Sequence, residues 1–278
     1  IVIIGGGVVG LATAWELIKR GHQVQLLERN AEPGSATSFA NGGQLSYRYV
    51  APLADSGVPL QGIKWMGKAD SPLNMRLKMS FQQWRWLLQF LRACNSQTNK
   101  MNGDHILRLS LLSRQVMQSW LDEDNLADFH WRRSGKLIIH RREYDFNKAA
   151  KGIDPQYQQA LNADACLQLE PALRHISPSL QGGIYSPGDE TADCHQFCLA
   201  LLDKLNASND FSLLTHCEVQ RLNKRGGRII ALETNRGTIT GDDYVVAAGN
   251  GSGPLLGHLG VRVPLCALKG YSLTLPYP

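Results

Sequence analysis

The run Gly5-Gly6-Gly7-Val8-Val9-Gly10 matches G-x-G-x-x-G, and an acid, Glu28, stands 18 residues beyond its last glycine. Such a set handles phosphates. Gly5 permits a tight turn, Gly7 lets the backbone approach a pyrophosphate, and Gly10 lets a helix pack closely on a sheet. The start of that helix offers unpaired N–H groups and partial positive charge to the phosphates. A carboxylate at Glu28 can accept from the hydroxyls of an adenosine ribose, which favours NAD or FAD over NADP. The motif does not separate NAD from FAD.

Other reactive side chains are scattered. The six cysteines are Cys94, Cys166, Cys194, Cys198, Cys217 and Cys266. In a chain of 278 residues they read as reduced, partly buried thiols and not as a disulfide scaffold. Cys194 and Cys198 can share a helix face with His195 beside them, but a metal needs further convergent ligands, and no metal site is expected. The eight histidines show no H-E-x-x-H spacing, and no Ser-His-Asp or Cys-His constellation is evident. The net charge of +5 is spread over separated basic stretches. These read as solvated faces and turns, with at most a weak attraction to an anionic membrane surface. Nothing reads as a nucleic-acid module. No apolar run reaches the roughly 18 residues that would suggest a transmembrane helix.

Elements must hold the glycines in place. "IVII" at the start is a continuous β-branched run, as in a strand covered on both faces of a parallel sheet. "VVGLATAWELIKRG" has helical spacing and ends on Gly21, and "HQVQLLE" is a second strand ending at Glu28. "DDYVVAAGNGSGPLL" is another buried strand that breaks into small residues at Gly249, where a ligand or backbone can come close. Upstream of it, strands are expected over 211–217, 219–224, 229–234 and 238–239, as a strand feeding a small meander.

These residues resemble the FAD-dependent amine oxidoreductases of the D-amino-acid oxidase superfamily, and most closely the bacterial D-amino-acid dehydrogenases of small-subunit type. The likeness rests on "GGGVVG" with "LLER", "SATSFANGGQLS", "VAPLADSGVPLQGIKWM", "GDETADCHQF", "VVAAGNGS" and "LKGYSLTLP", which are spread over essentially the whole chain. It implies an α/β fold: a Rossmann-like FAD-binding domain with an inserted α+β substrate domain of mixed sheet and helices. On that reading residues 1–44 and 191–260 are the two parts of the FAD-binding domain. Residues 45–190 are the substrate domain, and 261–278 begin a return to it. The chain is then expected to be a fragment cut at both ends, lacking the remainder of the substrate domain and a final helix. Weak FAD retention by these residues alone follows.

The resemblance implies cofactor contacts at Gly5, Gly6, Gly7, Val8, Val9 and Gly10, at Glu28 and Arg29, and at Ser38, Asn41, Gly42, Gly43 and Gln44. It adds Val219 beside the adenine and Gly249 at the strand end. Small and amide residues at "ANGGQ" can bring donors to a flavin edge without blocking it, although an Asn-Gly turn alone would read the same way. The implied activity is oxidative deamination of D-amino acids to 2-oxo acids and ammonia, by hydride transfer to flavin N5 with electrons passed to a quinone or another carrier. A glycine- or sarcosine-type oxidase producing hydrogen peroxide, a non-catalytic FAD module and an NAD-dependent dehydrogenase are the competing readings. Substrate contacts are expected at Arg48, Tyr49 and Tyr271, next to the cofactor segments. The implied location is the cytoplasm, with peripheral attachment to the inner face of the bacterial membrane as a further reading.

The middle of the chain breaks the β-α-β rhythm. Phe81, Trp84, Leu88 and Leu91 stand at helical spacing beside Arg76, Lys78, Arg85 and Arg92. The simpler expectation is a core helix with snorkelling arginines; the other is a face for a membrane or an electron acceptor. A second amphipathic helix is expected over 105–125, a strand broken at Gly135, a short helix ended by Pro171, and a helix from about Cys194 capped by Thr191 or Asp193.

Overall fold

A computed structural model of the chain describes residues 1–65, 79–126 and 128–271. Strand β1 (Val2–Ile4) runs into helix α1 (Val8–Lys19) and returns as β2 (Val24–Leu27). A two-residue strand, β3 (Gln44–Leu45), and helices α2 (Val58–Trp65), α3 (Phe81–Ala93) and α4 (Ser96–Glu123) follow. Next come β4 (Lys136–His140), α5 (Glu143–Lys151), β5 (Gln159–Asn162), α6 (Ala163–Leu169), a 3-10 helix over Pro171–Ser179, β6 (Gly182–Ser186) and β7 (Glu190–Thr191). The chain continues through α7 (Cys194–Asn206), β8 (Phe211–Leu214), β9 (Val219–Arg225), β10 (Arg228–Thr234), β11 (Gly237–Ile239), β12 (Tyr244–Val246) and α8 (Ser252–Gly257).

Among the described residues, four strands form a parallel sheet in the order β12-β1-β2-β8. Alternation along β1 shows why a continuous apolar run is needed there. Ile3 packs with Leu11 and Ala14 of α1 and Phe197 and Leu201 of α7 on one face. Val2 and Ile4 pack with Leu27, Leu222 and Leu232 on the other, under the antiparallel meander β9-β10-β11. Both faces are thus covered, as parallel sheets require. Strand β8 ends at Leu214, short of the expected Cys217. His216 takes a φ of 51° and donates its N–H to Asn30. The Cys217 N–H goes to the Glu28 carbonyl, so the chain has turned toward the end of β2.

Between β2 and α7 lies a second unit. The described strands β4-β6-β5 form an antiparallel sheet where a mixed one is expected, because β6 pairs antiparallel with both neighbours. Helix α4 begins at Ser96, well before the expected 105, because Asn95 caps it by accepting the Thr98 N–H at 2.9 Å. It crosses α1 through reciprocal polar pairs: Trp15 Nε1 donates to Asp124 at 2.8 Å, and Trp120 Nε1 donates to Glu16 at 2.7 Å. Asp193 caps α7, accepting from Gln196 at 2.9 Å.

Helix α3 overturns the core expectation. None of its residues is buried, and Phe81 and Leu88 are 83% and 57% exposed. Its apolar residues stack on one another, as Trp86 on Phe90 at 5.1 Å. The spacing correctly indicated a helix; it carried no information on what the apolar face meets. Arg76 and Lys78 lie outside the described residues.

Candidate functional site

The glycine loop leaves β1 at Gly5, whose φ of 108° belongs to the region that favours glycine. A Cβ there would stand 2.6 Å from the Ala247 carbonyl oxygen, at the end of β12. A Cβ on Gly10 would collide with the Gly5 carbonyl, so α1 can sit this close to the turn only with glycine at that position. Gly7 is the N-cap of α1 and brings no capping side chain. The Val8 N–H is instead met by Ser38 Oγ at 3.0 Å, from a segment 30 residues away. A Cβ at Gly7 would meet only Ser38 Oγ, at 3.4 Å. The space in front of it is open to a ligand.

Glu28 is 7% exposed. Its Oε2 accepts the Gly6 N–H at 2.7 Å and its Oε1 accepts the Asn30 N–H at 2.8 Å. The acid therefore braces the loop as well as facing it, and each oxygen keeps further acceptor capacity for a ribose hydroxyl. The Gly34 N–H bonds the Gly6 carbonyl at 2.8 Å, a brace the motif does not show; the Pro33-Gly34 pair was its only signal.

The segment from Asn41 to Leu45 is stapled in front of α7. Asn41 Oδ1 accepts the Gly43 N–H at 2.9 Å, an Asx turn. Gly43 accepts the Ala192 N–H at 2.9 Å, and β3 pairs with β7. Beyond it, Tyr47 is buried; its N–H reaches Asp189 Oδ1 and its hydroxyl donates to Glu190 Oε2, both at 3.1 Å. Trp131 Nε1 also donates to Glu190, at 2.9 Å. Burial raises the Tyr47 phenol above its ordinary value, and the Glu190 charge adds to it. Burial also raises the Asp189 carboxyl, whose Oδ2 has no partner.

Together these pieces open on a cavity of about 1090 Å³. It runs from Val8 and Val9 at the start of α1, along Asn41–Leu45, to Leu112 and Trp120 of α4. Cys194 lines it too. Its thiol is shifted below its ordinary value, chiefly by the neighbouring Cys198 thiol and against the opposing effect of burial.

The structure thus brings together Gly5, Gly6, Gly7, Val8, Val9, Gly10, Glu28 and Ser38 as one loop, and Asn41, Gly42, Gly43 and Gln44 as one wall of the cavity. Arg29 is exposed beside Glu28, Val219 opens β9, and Gly249, with a φ of 54°, follows β12. Arg48, Tyr49 and Tyr271 do not line the cavity. Arg48 stacks on Tyr157 at 3.3 Å, and Lys136 lies 3.9 Å over Tyr49. Tyr271 is 89% exposed. Sequence reasoning missed Tyr47, Asp189 and Glu190, which meet only through pairing across more than 140 positions.

The family described as FAD dependent oxidoreductase, DAO, matches residues 1–278. The chain belongs to this family. Among curated relatives, D-amino acid dehydrogenase 2 of Pseudomonas aeruginosa is 48% identical over 99% of the chain and 66% of the relative. The D-amino acid dehydrogenase of Vibrio atlanticus is 35% identical over 99% of the chain and 67% of the relative. The chain thus spans about two thirds of the length of the curated relatives it matches. Solved structures share the fold: glycine oxidase of Geobacillus kaustophilus has a TM-score of 0.62 at 21% identity, covering 94% of this chain and 58% of that one. L-proline dehydrogenase of P. horikoshii has a TM-score of 0.63 at 17% identity, covering 94% and 56%. The cofactor is FAD, and the loop fits it. The open space before Gly7, the glycine N-cap of α1, which brings no side chain of its own, and the buried acid at Glu28 are what a pyrophosphate and an adenosine ribose require.

Proposed function

We propose that the chain is the cofactor-holding part of an FAD-dependent D-amino acid dehydrogenase, which oxidises D-amino acids to 2-oxo acids and ammonia. The observation that carries this reading is the 48% identity to the Pseudomonas aeruginosa relative over 99% of the chain, laid over a complete glycine loop. When bound, FAD supplies the two-electron acceptor for the substrate Cα–H bond. The residues of the chain bind and orient. Gly5, Gly7 and Gly10 admit the pyrophosphate, Glu28 accepts from the ribose, and Asn41–Gln44 form the wall along the ring side. Arg48 is the cation proposed for the substrate carboxylate. Stacking on Tyr157 uses the face of its guanidinium and leaves the in-plane N–H donors free. Tyr49 and Tyr271 are offered as weaker contacts of the same kind, both exposed.

The electrons go on to a quinone or another carrier. The test is dye reduction against peroxide yield by the full-length protein with D-alanine, sarcosine and glycine. Dye reduction with D-alanine and little peroxide is expected; better turnover of sarcosine with stoichiometric peroxide would overturn the reading. Among the described residues no helix is long and apolar enough to cross a membrane. The exposed apolar face of α3, with Arg85 and Arg92 beside it, supports peripheral attachment to an anionic bilayer. Co-sedimentation with anionic but not neutral vesicles, lost on Phe81→Ser with Leu88→Ser, checks that attachment.

A further inference from the structure

Strands β3 and β7 pair over two residues each, Gln44 with Thr191 and Leu45 with Glu190. Gly42 and Gly43 precede the first of them, and Gly43 takes a φ of 59°. So short and glycine-led a strand specifies its register weakly. Yet Asn41–Leu45 form a wall of the cavity, where position has to be fixed. Two acids supply what the ladder lacks. Past this pairing the facing chain turns, with the Asp189 N–H on the Ser186 carbonyl at 3.3 Å, and the Gly135 N–H takes the Asp189 carbonyl at 3.0 Å. The Tyr47 N–H is met by the Asp189 side chain instead, whose Oδ1 accepts it at 3.1 Å. The hydroxyl of the same tyrosine donates to Glu190 Oε2 at 3.1 Å, and Trp131 donates to that oxygen at 2.9 Å. Tyr47 is thus held at its backbone and at its far end by consecutive residues of the facing chain, and all three side chains are buried. Cations stay at the margin: Arg133 is 3.9 Å from Glu190 Oε1, Arg114 of α4 lies 5.5 Å over the Tyr47 ring, and Lys136 of β4 donates to Ser46 Oγ at 3.2 Å. Two neighbouring carboxyl groups buried with so little cationic partnership are a costly way to hold a fold, and apolar side chains of like volume often hold it as well. What the acids provide is position.

We propose that Asp189 and Glu190 are positioning residues of the flavin site: gripping Tyr47 at both ends, they set the register of residues 41–48 and so fix the wall along the ring side of the flavin. Neither acid lines the cavity. Both act through Tyr47, which stands two residues beyond Leu45. Upstream of Tyr47 the grip fixes the donors of Asn41–Gln44. Downstream it fixes the backbone from which Arg48 reaches the Tyr157 ring, 3.3 Å away. One grip therefore holds the cofactor wall and the cation proposed for the substrate in a single register. A displacement of about 1 Å in such a wall costs up to about a hundredfold in rate. Asp189 Oδ2 has no partner, so an asparagine there can keep the bond to Tyr47. The effect on rate rests on the D-amino acid reading above; the grip and its effect on the flavin do not.

The test uses the full-length protein, flavin-loaded and flavin-stripped. Glu190→Ala, Asp189→Ala and Tyr47→Phe are set against Glu190→Gln and Asp189→Asn, which keep an acceptor oxygen. Hydrogen exchange over 41–48 is read in the stripped protein. In the loaded protein the readouts are the two-electron potential of the flavin against reference dyes and the rate of its reduction by D-alanine per bound flavin. In the first three variants exchange over 41–48 is expected to quicken about tenfold, while β1 and α1 keep their protection. The potential should fall by about 30 mV, a tenfold weaker hold on the reduced form, because donors at the ring edge favour its added negative charge. Reduction by D-alanine should slow about ten- to a hundredfold. Glu190→Gln and Asp189→Asn should stay close to the parent in all three. Unchanged exchange over 41–48 overturns the grip. Quickened exchange with parental potential and parental rate per bound flavin makes the acids structural only, and overturns the positioning role. If Glu190→Ala does not fold, Tyr47→Phe decides, since it keeps the ring and removes only the phenol's bond. A parent protein whose flavin D-alanine fails to reduce would instead strike the D-amino acid reading, while exchange and potential still decide the grip.

Discussion

At the scale of single residues, the glycine loop separates fold from binding. Gly10 is required by the fold, since a methyl there meets the Gly5 carbonyl. Gly7 is not: its backbone is extended, and a Cβ would meet only Ser38 Oγ at 3.4 Å, an ordinary contact. Gly7→Ala should therefore fold with a melting temperature close to that of the parent. It should lose FAD affinity on the order of a hundredfold, about 3 kcal/mol, because the methyl takes the space a phosphate needs. Flavin titration beside thermal melting reads both effects. This part of the site was legible in the sequence because its spacing is local: strand, turn, helix, strand and acid lie within 28 residues. Asp189 was not legible. It is 3% exposed, and burial raises its carboxyl above the ordinary aspartate value of about 3.9. A carboxyl with a raised folded value keeps its proton when the unfolded chain has released it. Its contribution to stability is then fully present in acid and lost as pH rises from about 4 through the folded value. Asp189→Asn escapes that loss. The melting temperature of the variant minus that of the parent should become more positive from pH 4 upward; a flat difference would sink the assignment.

At the scale of elements, what positions the cavity is the crossing of α1 and α4. Asp124, at the end of α4, accepts from Trp15 and lies 2.9 Å from Lys19. Asp124→Ala leaves the Trp15 N–H without its partner. A loss of about 1–3 kcal/mol is expected, read as a lower denaturant midpoint with an unchanged slope. FAD binding should weaken less than stability, since the glycine loop lies at the opposite end of α1. Helix α4 and its amphipathic character could be read from the sequence, but its partner could not, because Trp15 and Asp124 are 109 positions apart. The same limit explains α3. Periodicity measures how apolar a face is, not whether anything covers it, and its arginines suit a snorkelling core helix and an exposed one equally.

At the scale of the whole molecule, the described residues leave apolar side chains exposed on α3, where Phe81 and Leu88 are 83% and 57% exposed. The same holds on α4: Leu109 and Leu112 are 68% and 55% exposed, and both border the cavity. On the proposed reading, a flavin ring laid against Asn41–Leu45 would gain little from burial, and its affinity would rest on the phosphate end. Residues 1–278 expressed alone should therefore bind FAD weakly and lose most of it on gel filtration. Joining to them the remaining third of the Pseudomonas aeruginosa relative, to which the chain is 48% identical, should give a yellow protein that keeps its flavin through the same column. Covering the cavity should also bury Leu109 and Leu112, so hydrogen exchange in α4 should slow in the chimera. Stoichiometric flavin in the shorter chain would show that the glycine loop and the Asn41 segment suffice, and that the open apolar wall takes no part in holding the ring.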